Sequence, residues 1–196
     1  MLEQLLQLDT RLFYWINGHH NVWLDWLMWG ASQKLCWAVV IALVFGLSTM
    51  LNDARRWWLV AMGVALCFLF ADQGSVHLFK NTVCRLRPCY ALENVRMFQT
   101  TCGSPYGFIS SHASNAFALV TLFWMRYFRA GGKVLTKGAL WLMMCWALMS
   151  SYSRPYLGKH YPGDVLFGML FGAVVGVVVW WICSTIEKKL IKDETK

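Results

Sequence analysis

The sequence predicts an all-α polytopic membrane protein: a bundle of five to six transmembrane helices with interfacial helices at its N-terminus. Hydrophobic residues make up 58% of the 196 residues, and 12 residues are tryptophan. Five long apolar runs alternate with polar segments, and a transmembrane helix needs about 20 predominantly apolar residues. Ordinary soluble domains have a lower apolar content, so we expect this chain to fold within a lipid bilayer.

Residues 1–32 are predicted to form an interfacial amphipathic segment, followed by a transmembrane domain over residues 33–196. Leucine and aromatic residues recur in this segment at helical spacing, with Glu3, Asp9 and Arg11 between them. Its two short amphipathic stretches are too interrupted to cross a bilayer, and their tryptophans suit the headgroup region. Packing against the bundle and an extra membrane span remain the alternatives for this segment.

The transmembrane helices are predicted from the apolar runs. In chain order they are Leu35–Leu51, Trp57–Phe79, Ala113–Phe128, Val134–Tyr152 and Val165–Ile186. The connecting segments must alternate between the two membrane faces. Basic residues concentrate in turns 52–56 and 126–137 and in the tail 187–196, which the positive-inside rule places in the cytoplasm. Loop 80–111 and segment 153–164 are therefore expected to lie together on the outer face.

Charge and cysteine patterns narrow the classes of partner. The net charge of +8 comes from basic residues scattered between apolar runs, so membrane lipids or phosphate groups are expected rather than nucleic acid. The seven cysteines form no C-x-x-C pair and lack the spacing of a zinc site, so neither a metal nor another cofactor is expected. Cys89 and Cys102 share the outer loop, where a disulfide and two free thiols are both compatible with the sequence.

Three polar blocks lie on the predicted outer face, at the ends of the second, third and fourth spans. Each block alone has an ordinary interpretation, as a membrane-anchoring cation, a helix N-cap or a helix-start turn. Together they place cations, hydroxyl groups, two imidazoles and a carboxylate on one membrane face. The candidate residues are Lys80, Arg87, Ser110, Ser111, His112, Arg154, His160 and Asp164.

The chemistry of these residue types indicates phosphoryl transfer. Asp164 follows His160 by four residues, so its carboxylate can accept the N–H of one imidazole nitrogen and leave the other as a nucleophile. Three cations and a serine-rich helix start favour phosphate binding. The second imidazole, that of His112, can protonate the leaving oxygen. Because no carboxylate cluster offers a Mg²⁺ site, the cations must offset the charge of the transferring group.

The three blocks resemble the motifs of the type 2 phosphatidic acid phosphatase (PAP2) superfamily. The family patterns are K-x-x-x-x-x-x-R-P, P-S-G-H and S-R-x-x-x-x-x-H-x-x-x-D. The matching residues are Lys80 with Arg87-Pro88, then Ser110 and His112, then Ser153-Arg154, His160 and Asp164. In the middle motif Ser111 stands where glycine is usual.

The resemblance implies a metal-independent phosphatase that works through a phosphohistidine intermediate. It implies that His160 is the nucleophile, that Asp164 orients it, and that His112 is the general acid. The remaining motif positions are implied to hold the phosphate, and they are Lys80, Arg87, Ser110, Ser111 and Arg154.

The resemblance is greatest to bacterial undecaprenyl-diphosphate phosphatases, which implies hydrolysis of undecaprenyl diphosphate to undecaprenyl phosphate. Phosphatidylglycerophosphate and lipid A are the alternative substrates, since the motifs read phosphate and not the group attached to it. The implied location is the bacterial inner membrane, with a periplasmic active site and a cytoplasmic C-terminus. An anion channel or transporter would also explain the cations, but it gives no reason for a His-x-x-x-Asp pair beside a second histidine.

Overall fold

The computed structural model describes residues 1–52, 54–128, 131 and 133–194. The other six positions belong to the predicted cytoplasmic turns and tail, and they lie outside the described residues. In chain order the helices are α1 (Leu2–Gly18), α2 (Val22–Ala31), α3 (Lys34–Asn52), α4 (Trp57–Gly74), α5 (Asn81–Val83), α6 (Pro88–Ala91), α7 (Ser111–Phe123), α8 (Val134–Tyr156) and α9 (Pro162–Glu194). Among the described residues, β-pairing is limited to an isolated bridge between Leu86 and Tyr106. The prediction of an all-α fold is confirmed.

Four of the helices are long and apolar enough to cross a bilayer. They are Lys34–Asn52, Trp57–Val83, Val134–Tyr156 and Pro162–Glu194. Each contains one of the predicted spans, and the remaining predicted span corresponds to α7 together with a π-helical extension, Trp124–Phe128. A second π-helical stretch, Ser75–Lys80, joins α4 to α5. The bundle therefore has the predicted order of membrane helices.

Two helix ends differ from the prediction. Helix α8 continues past Tyr152 to Tyr156, so Ser153 and Arg154 are helical and not part of an outer loop. Pro155 is tolerated there because it lies in the last turn, where a bend costs few hydrogen bonds. Helix α9 extends through the lysine-rich segment to Glu194, since leucine, lysine and glutamate all favour helix.

Helix α7 is the centre of the bundle and packs most closely against α9. Eight of its side chains are buried, most of them small or aliphatic. On α9, a Cβ at Gly172 would overlap the backbone of Ser114, and a Cβ at Gly176 would lie 2.5 Å from the carbonyl oxygen of Ala118. These glycines therefore let the two helix backbones approach each other, as small residues do in membrane bundles.

The N-terminal helices α1 and α2 pack against the outer end of α8. The Asp25 carboxylate accepts two hydrogen bonds from Arg96, at 2.8 and 2.6 Å, and one from the Tyr156 hydroxyl at 2.7 Å. The Asn17 side chain donates to the backbone oxygens of Arg96 and Tyr156. Buried polar contacts thus join α1, α2, the outer loop and α8. An interfacial position for residues 1–32 stays a prediction.

The Asp25–Arg96 pair predicts a loss of stability in acid. Hydrogen bonding to Arg96 lowers the pKa of Asp25 below its ordinary value of 3.8. A carboxyl with a lowered folded-state pKa stabilises the fold above its unfolded pKa, and this contribution is lost as pH falls through the folded value. We expect Asp25→Asn to cost about 2 kcal/mol at neutral pH.

The test is thermal unfolding in detergent at several pH values. The difference in stability between wild type and Asp25→Asn should shrink below about pH 4. Asp193→Asn, the same change at an exposed position of α9, should leave the melting temperature within a degree or so of wild type. A difference between wild type and Asp25→Asn that stays constant with pH would contradict this account.

Candidate active site

The structure brings the three polar blocks together through direct hydrogen bonds between each pair. Arg87 Nη1 donates to His160 Nε2 at 2.6 Å, which joins the first and third blocks. Lys80 Nζ donates to Ser111 Oγ at 2.6 Å, which joins the first and second. The backbone N–H of Ser110 donates to the carbonyl oxygen of Asp164 at 3.0 Å, which joins the second and third. The predicted convergence of the three blocks is confirmed.

The loop that carries Arg87 is fixed by backbone contacts and by a disulfide. The Arg87 N–H donates to Pro105 O at 2.9 Å, and the Gly107 N–H donates to Arg85 O at 2.8 Å. Cys89 and Cys102 form a disulfide, with their Cα atoms 6.2 Å apart. Of the two states that the sequence allows, the structure therefore has the disulfide.

Ser110 forms the N-cap of α7, and its buried hydroxyl accepts a hydrogen bond from the N–H of Ala113 at 3.5 Å. The first turn of α7 therefore presents Ser111 and His112 to the site. The Ser111 hydroxyl contacts both Lys80 Nζ and Ser75 Oγ, the latter at 2.6 Å. Where the family pattern has glycine, this chain thus has a hydroxyl that holds the lysine of the first motif.

The His160 imidazole is a buried, neutral base with one nitrogen facing the cations. A guanidinium group only donates hydrogen bonds, so Nε2 must accept from Arg87 and the ring proton resides on Nδ1. Burial, followed by the charges of Arg87, Arg154 and Lys80, holds the pKa of His160 well below 6.5. The imidazole is therefore uncharged at neutral pH, with the Nε2 lone pair directed at the cationic side of the site.

Asp164 lies close to His160, but its hydrogen bonds go elsewhere. Its Oδ2 is 3.6 Å from His160 Nδ1, which is longer than a hydrogen bond. Instead Oδ1 accepts from Arg85 Nη1 at 2.8 Å and Oδ2 accepts from the N–H of Tyr161 at 3.0 Å. The two residues do not share one helix face either, because α9 begins at Pro162, after His160. The expected Asp164–His160 hydrogen bond is therefore not formed in this structure.

Four cations without an ion-pairing carboxylate cluster at the site: Arg87, Arg154 and Lys80 act electrostatically on His160, and Lys159 lies close to both arginines. Within the described part of the chain, no acidic side chain forms an ion pair with Lys80, Arg87, Arg154 or Lys159. Arg154 is only 4% exposed, and its Nε has no hydrogen-bond partner. Burial, then the charges of Arg154 and Arg87, lowers the pKa of Lys159 to about 8. Buried unpaired cations are costly, and they indicate a site for an anion.

His112 lies between this cationic site and a cavity. It is close enough to Arg154 and His160 to interact with both electrostatically. It also lines a cavity of about 790 Å³ between α3, α4 and α7, whose walls are mostly apolar. The other polar side chains on these walls are those of Lys34, Asp72, Ser111 and Asn115. His112 can therefore contact both an anion in the cationic site and a group in the cavity.

All eight sequence-predicted residues lie in or directly beside this site, and three more were missed. Lys159 directly precedes His160, and Arg85 lies inside the first motif. Both adjoin motif residues, but they occupy positions that the family patterns leave unspecified. Asp9 bonds to Arg85 at 2.8 Å, across 76 residues of sequence. Asp9 is one of several polar residues of the amphipathic helix α1, so no sequence signal singled it out.

Comparisons with known proteins agree with this architecture. The family model described as PAP2 superfamily matches residues 56–188. A lipid A 4'-phosphatase of Bacteroides thetaiotaomicron is 32% identical, over 98% of this chain and 84% of that protein. A lipid A 4'-phosphatase of Porphyromonas gingivalis is 31% identical, over 91% of this chain and 74% of that protein.

Two solved structures share the fold. The crystal structure of Aquifex aeolicus LpxE has a TM-score of 0.60 at 20% identity, and covers 88% of this chain and 94% of its own. A transmembrane PAP2-type phosphatidylglycerolphosphate phosphatase from Bacillus subtilis has a TM-score of 0.66 at 18% identity, with coverages of 95% and 87%. The chain therefore belongs to the PAP2 superfamily and is a membrane lipid phosphatase of that family.

Proposed function

We propose that this protein removes the 4'-phosphate of lipid A by transfer to His160 and hydrolysis of the resulting phosphohistidine. The observation that carries the reaction is the neutral Nε2 of His160, held at 2.6 Å from Arg87 among four unpaired cations. The choice of substrate is supported by the two lipid A 4'-phosphatases that match most of this chain. The expected preference for undecaprenyl diphosphate is without such support.

In the proposed reaction, Nε2 of His160 attacks phosphorus and forms the N–P bond while the bond from phosphorus to the sugar oxygen breaks. Lys80, Arg87, Arg154 and Lys159 offset the negative charge on the phosphoryl oxygens. His112 donates a proton to the departing sugar oxygen. His112 then takes a proton from a water molecule as that water attacks phosphorus. The N–P bond breaks, which regenerates the His160 imidazole and releases inorganic phosphate.

The proposed general-acid role of His112 determines where we expect the leaving group to lie. A general acid must be within hydrogen-bond reach of the oxygen that it protonates, so the leaving group occupies the cavity that His112 lines. The mostly apolar walls of this cavity suit acyl chains. The half-buried Asp72 carboxylate also lies on the wall, and it can accept hydrogen bonds from sugar hydroxyl or amide groups.

Asp72 also disfavours the alternative substrate. With a lipid A phosphate the leaving group is a neutral sugar hydroxyl. With undecaprenyl diphosphate the leaving group is the undecaprenyl phosphate anion. A carboxylate beside that anion repels it in a low-dielectric cavity. Lys34 on the same cavity is exposed, so water and salt screen its charge more than that of Asp72. Asp72, which also acts electrostatically on Lys80, thus favours a neutral leaving group at this wall of the cavity.

The test is phosphate release from a panel of lipids in mixed micelles at equal surface concentration. We expect kcat/KM on lipid A to exceed that on undecaprenyl diphosphate and on phosphatidylglycerophosphate by at least about tenfold. Mass spectrometry of the product should show lipid A that keeps its 1-phosphate. Greatest turnover on undecaprenyl diphosphate would overturn the choice of substrate.

The same panel tests the role given to Asp72. Asp72→Asn removes the negative charge at nearly constant volume, so the preference for lipid A over undecaprenyl diphosphate should fall about tenfold. Gln73→Glu is the converse control, because it adds a carboxylate at the neighbouring exposed position and should leave the preference unchanged. A preference unaltered in Asp72→Asn would show that this carboxylate does not select the leaving group.

We place the active site on the periplasmic face of a bacterial inner membrane, with the C-terminus in the cytoplasm. The support is the basic composition of the opposite face and of the tail.

A further inference from the structure

Arg85 joins helix α1 to the carboxylate beside the proposed nucleophile. Its Nη1 donates to Asp164 Oδ1 and its Nη2 to Asp9 Oδ2, both at 2.8 Å. The guanidinium carbon also lies 3.8 Å from the centre of the Tyr161 ring. The Asp164 side chain is fully buried and that of Asp9 is 12% exposed. These ion pairs are therefore largely shielded from water, and they constrain the positions of the three side chains more than surface ion pairs do.

Asp9 makes a second contact, to the start of α9. Its Oδ1 accepts a hydrogen bond from the N–H of Gly163 at 2.7 Å. A Cβ at position 163 would lie 2.8 Å from Asp9 Oδ2, so glycine is what lets the carboxylate approach this backbone. One side chain of α1 thus bonds both to Arg85 and to the helix turn that carries Asp164.

These contacts determine the orientation of the Asp164 carboxylate. With Oδ1 bonded to Arg85, Oδ2 is left to accept from the N–H of Tyr161 and to face His160 Nδ1 at 3.6 Å. As His160 attacks phosphorus it becomes positively charged, and a fixed carboxylate on its Nδ1 side stabilises that charge. Loss of Arg85 would leave a buried carboxylate without its direct cationic partner, free to rotate or to take up a proton.

We propose that Arg85 and Asp9 are positioning residues for the phosphoryl-transfer step, acting on His160 through Asp164. The proposal rests on the proposed function of His160 as nucleophile. The Arg85 charge is offset by two carboxylates, so this residue is not one of the four unpaired cations. The N-terminal helix α1 is then part of the catalytic apparatus, and not a membrane anchor alone.

The proposal predicts a loss of turnover with little change in substrate binding. Arg85→Ala should lower kcat about 100-fold, as expected for a misplaced catalytic group, and should leave KM within about threefold of wild type. Arg85→Lys should keep an intermediate kcat, because one ammonium group cannot bridge two carboxylates as a guanidinium does. Asp9→Asn should lower kcat about tenfold, since its amide nitrogen cannot accept from Arg85.

Glu3→Gln is the matched control for Asp9→Asn, because it makes the same kind of change at an exposed position of α1. Its kcat should equal that of wild type. For Arg85→Ala, added guanidinium ion should restore part of the lost kcat, whereas sodium chloride at equal ionic strength should not. Melting temperatures in the same detergent show whether each variant is folded.

Two results would overturn the proposal. One is a kcat of Arg85→Ala within about threefold of wild type. The other is a loss of kcat in proportion to a lowered melting temperature, with no recovery in guanidinium, which describes a purely structural role. Kinetics are measured on whichever lipid the wild type hydrolyses best, so an incorrect choice of lipid A does not affect this test. Full activity of His160→Ala would instead refute the proposed function itself.

Discussion

Replacing His160 with alanine is expected to lower kcat by about 10⁴-fold or more. The neutral Nε2, bonded to Arg87 at 2.6 Å, is the nucleophile in the proposed reaction, and alanine offers no group that can form a bond to phosphorus. The cations remain in this variant, so KM should change far less than kcat. The measurement is steady-state phosphate release by wild type and His160→Ala in the same micelles.

The control is His77→Ala, which removes an imidazole from an exposed position of the π-helical stretch. It should keep wild-type kinetics. Equal melting temperatures of His160→Ala and wild type would show that the loss is chemical and not a failure to fold. Turnover retained in a folded His160→Ala protein would remove the nucleophile assignment.

Replacing His112 with alanine is expected to slow hydrolysis of the natural lipid by about 10²–10⁴-fold, the usual contribution of a general acid. The size of the effect should depend on the leaving group. A sugar alkoxide is a poor leaving group and needs the proton, whereas nitrophenolate leaves without one. The measurement is therefore a comparison of the rates of phosphoenzyme formation from lipid A and from a nitrophenyl phosphate ester.

With the nitrophenyl ester, formation of the phosphoenzyme should be slowed much less in His112→Ala than with lipid A. A rapid-mixing experiment isolates this step as a burst of nitrophenolate, since the later attack of water also uses His112. Equal slowing of both substrates in the burst phase would contradict a general-acid role. It would point instead to His112 as a phosphate ligand.

Helix alternation and motif spacing predicted the architecture of the site well. The apolar runs determined which face each polar block reaches, because a segment that crosses the membrane must exit on the other side. The sequence did not predict individual contacts, but the hydrogen bonds of Lys80 with Ser111 and of Arg87 with His160 require that shared face. The convergence was predictable because it needs few assumptions beyond the order of the spans.

The hydrogen-bond partners of Asp164 were not predictable. Its spacing from His160 suggested an imidazole partner, but the Asp164 carboxylate forms its ion pair with Arg85 at 2.8 Å. That preference depends on how α1 packs, since Asp9 holds the other end of Arg85. Amphipathic periodicity shows that α1 has an apolar face, but it does not show which residues that face will meet.

The C-terminal end of α8 was also not predictable from the sequence. The motif Ser153-Arg154-Pro155 suggests a loop, because proline usually ends a helix before it. Burial of Arg154 in the cationic site, where it is 4% exposed, outweighs this local preference. The preference for a lipid headgroup was less predictable still. The family motifs carry no information on the group attached to phosphate, and the cavity beside His112 forms only when α3, α4 and α7 pack together.

In the proposed reaction, the phosphoryl group passes covalently through His160. The most direct measurement mixes the enzyme with lipid carrying a labelled phosphate, quenches the reaction in alkali, which preserves phosphohistidine, and maps the label by mass spectrometry. Label is expected on the peptide that contains His160, formed before inorganic phosphate appears and absent from His160→Ala. Label on another residue, or steady turnover without any labelled enzyme at the earliest times, would contradict it.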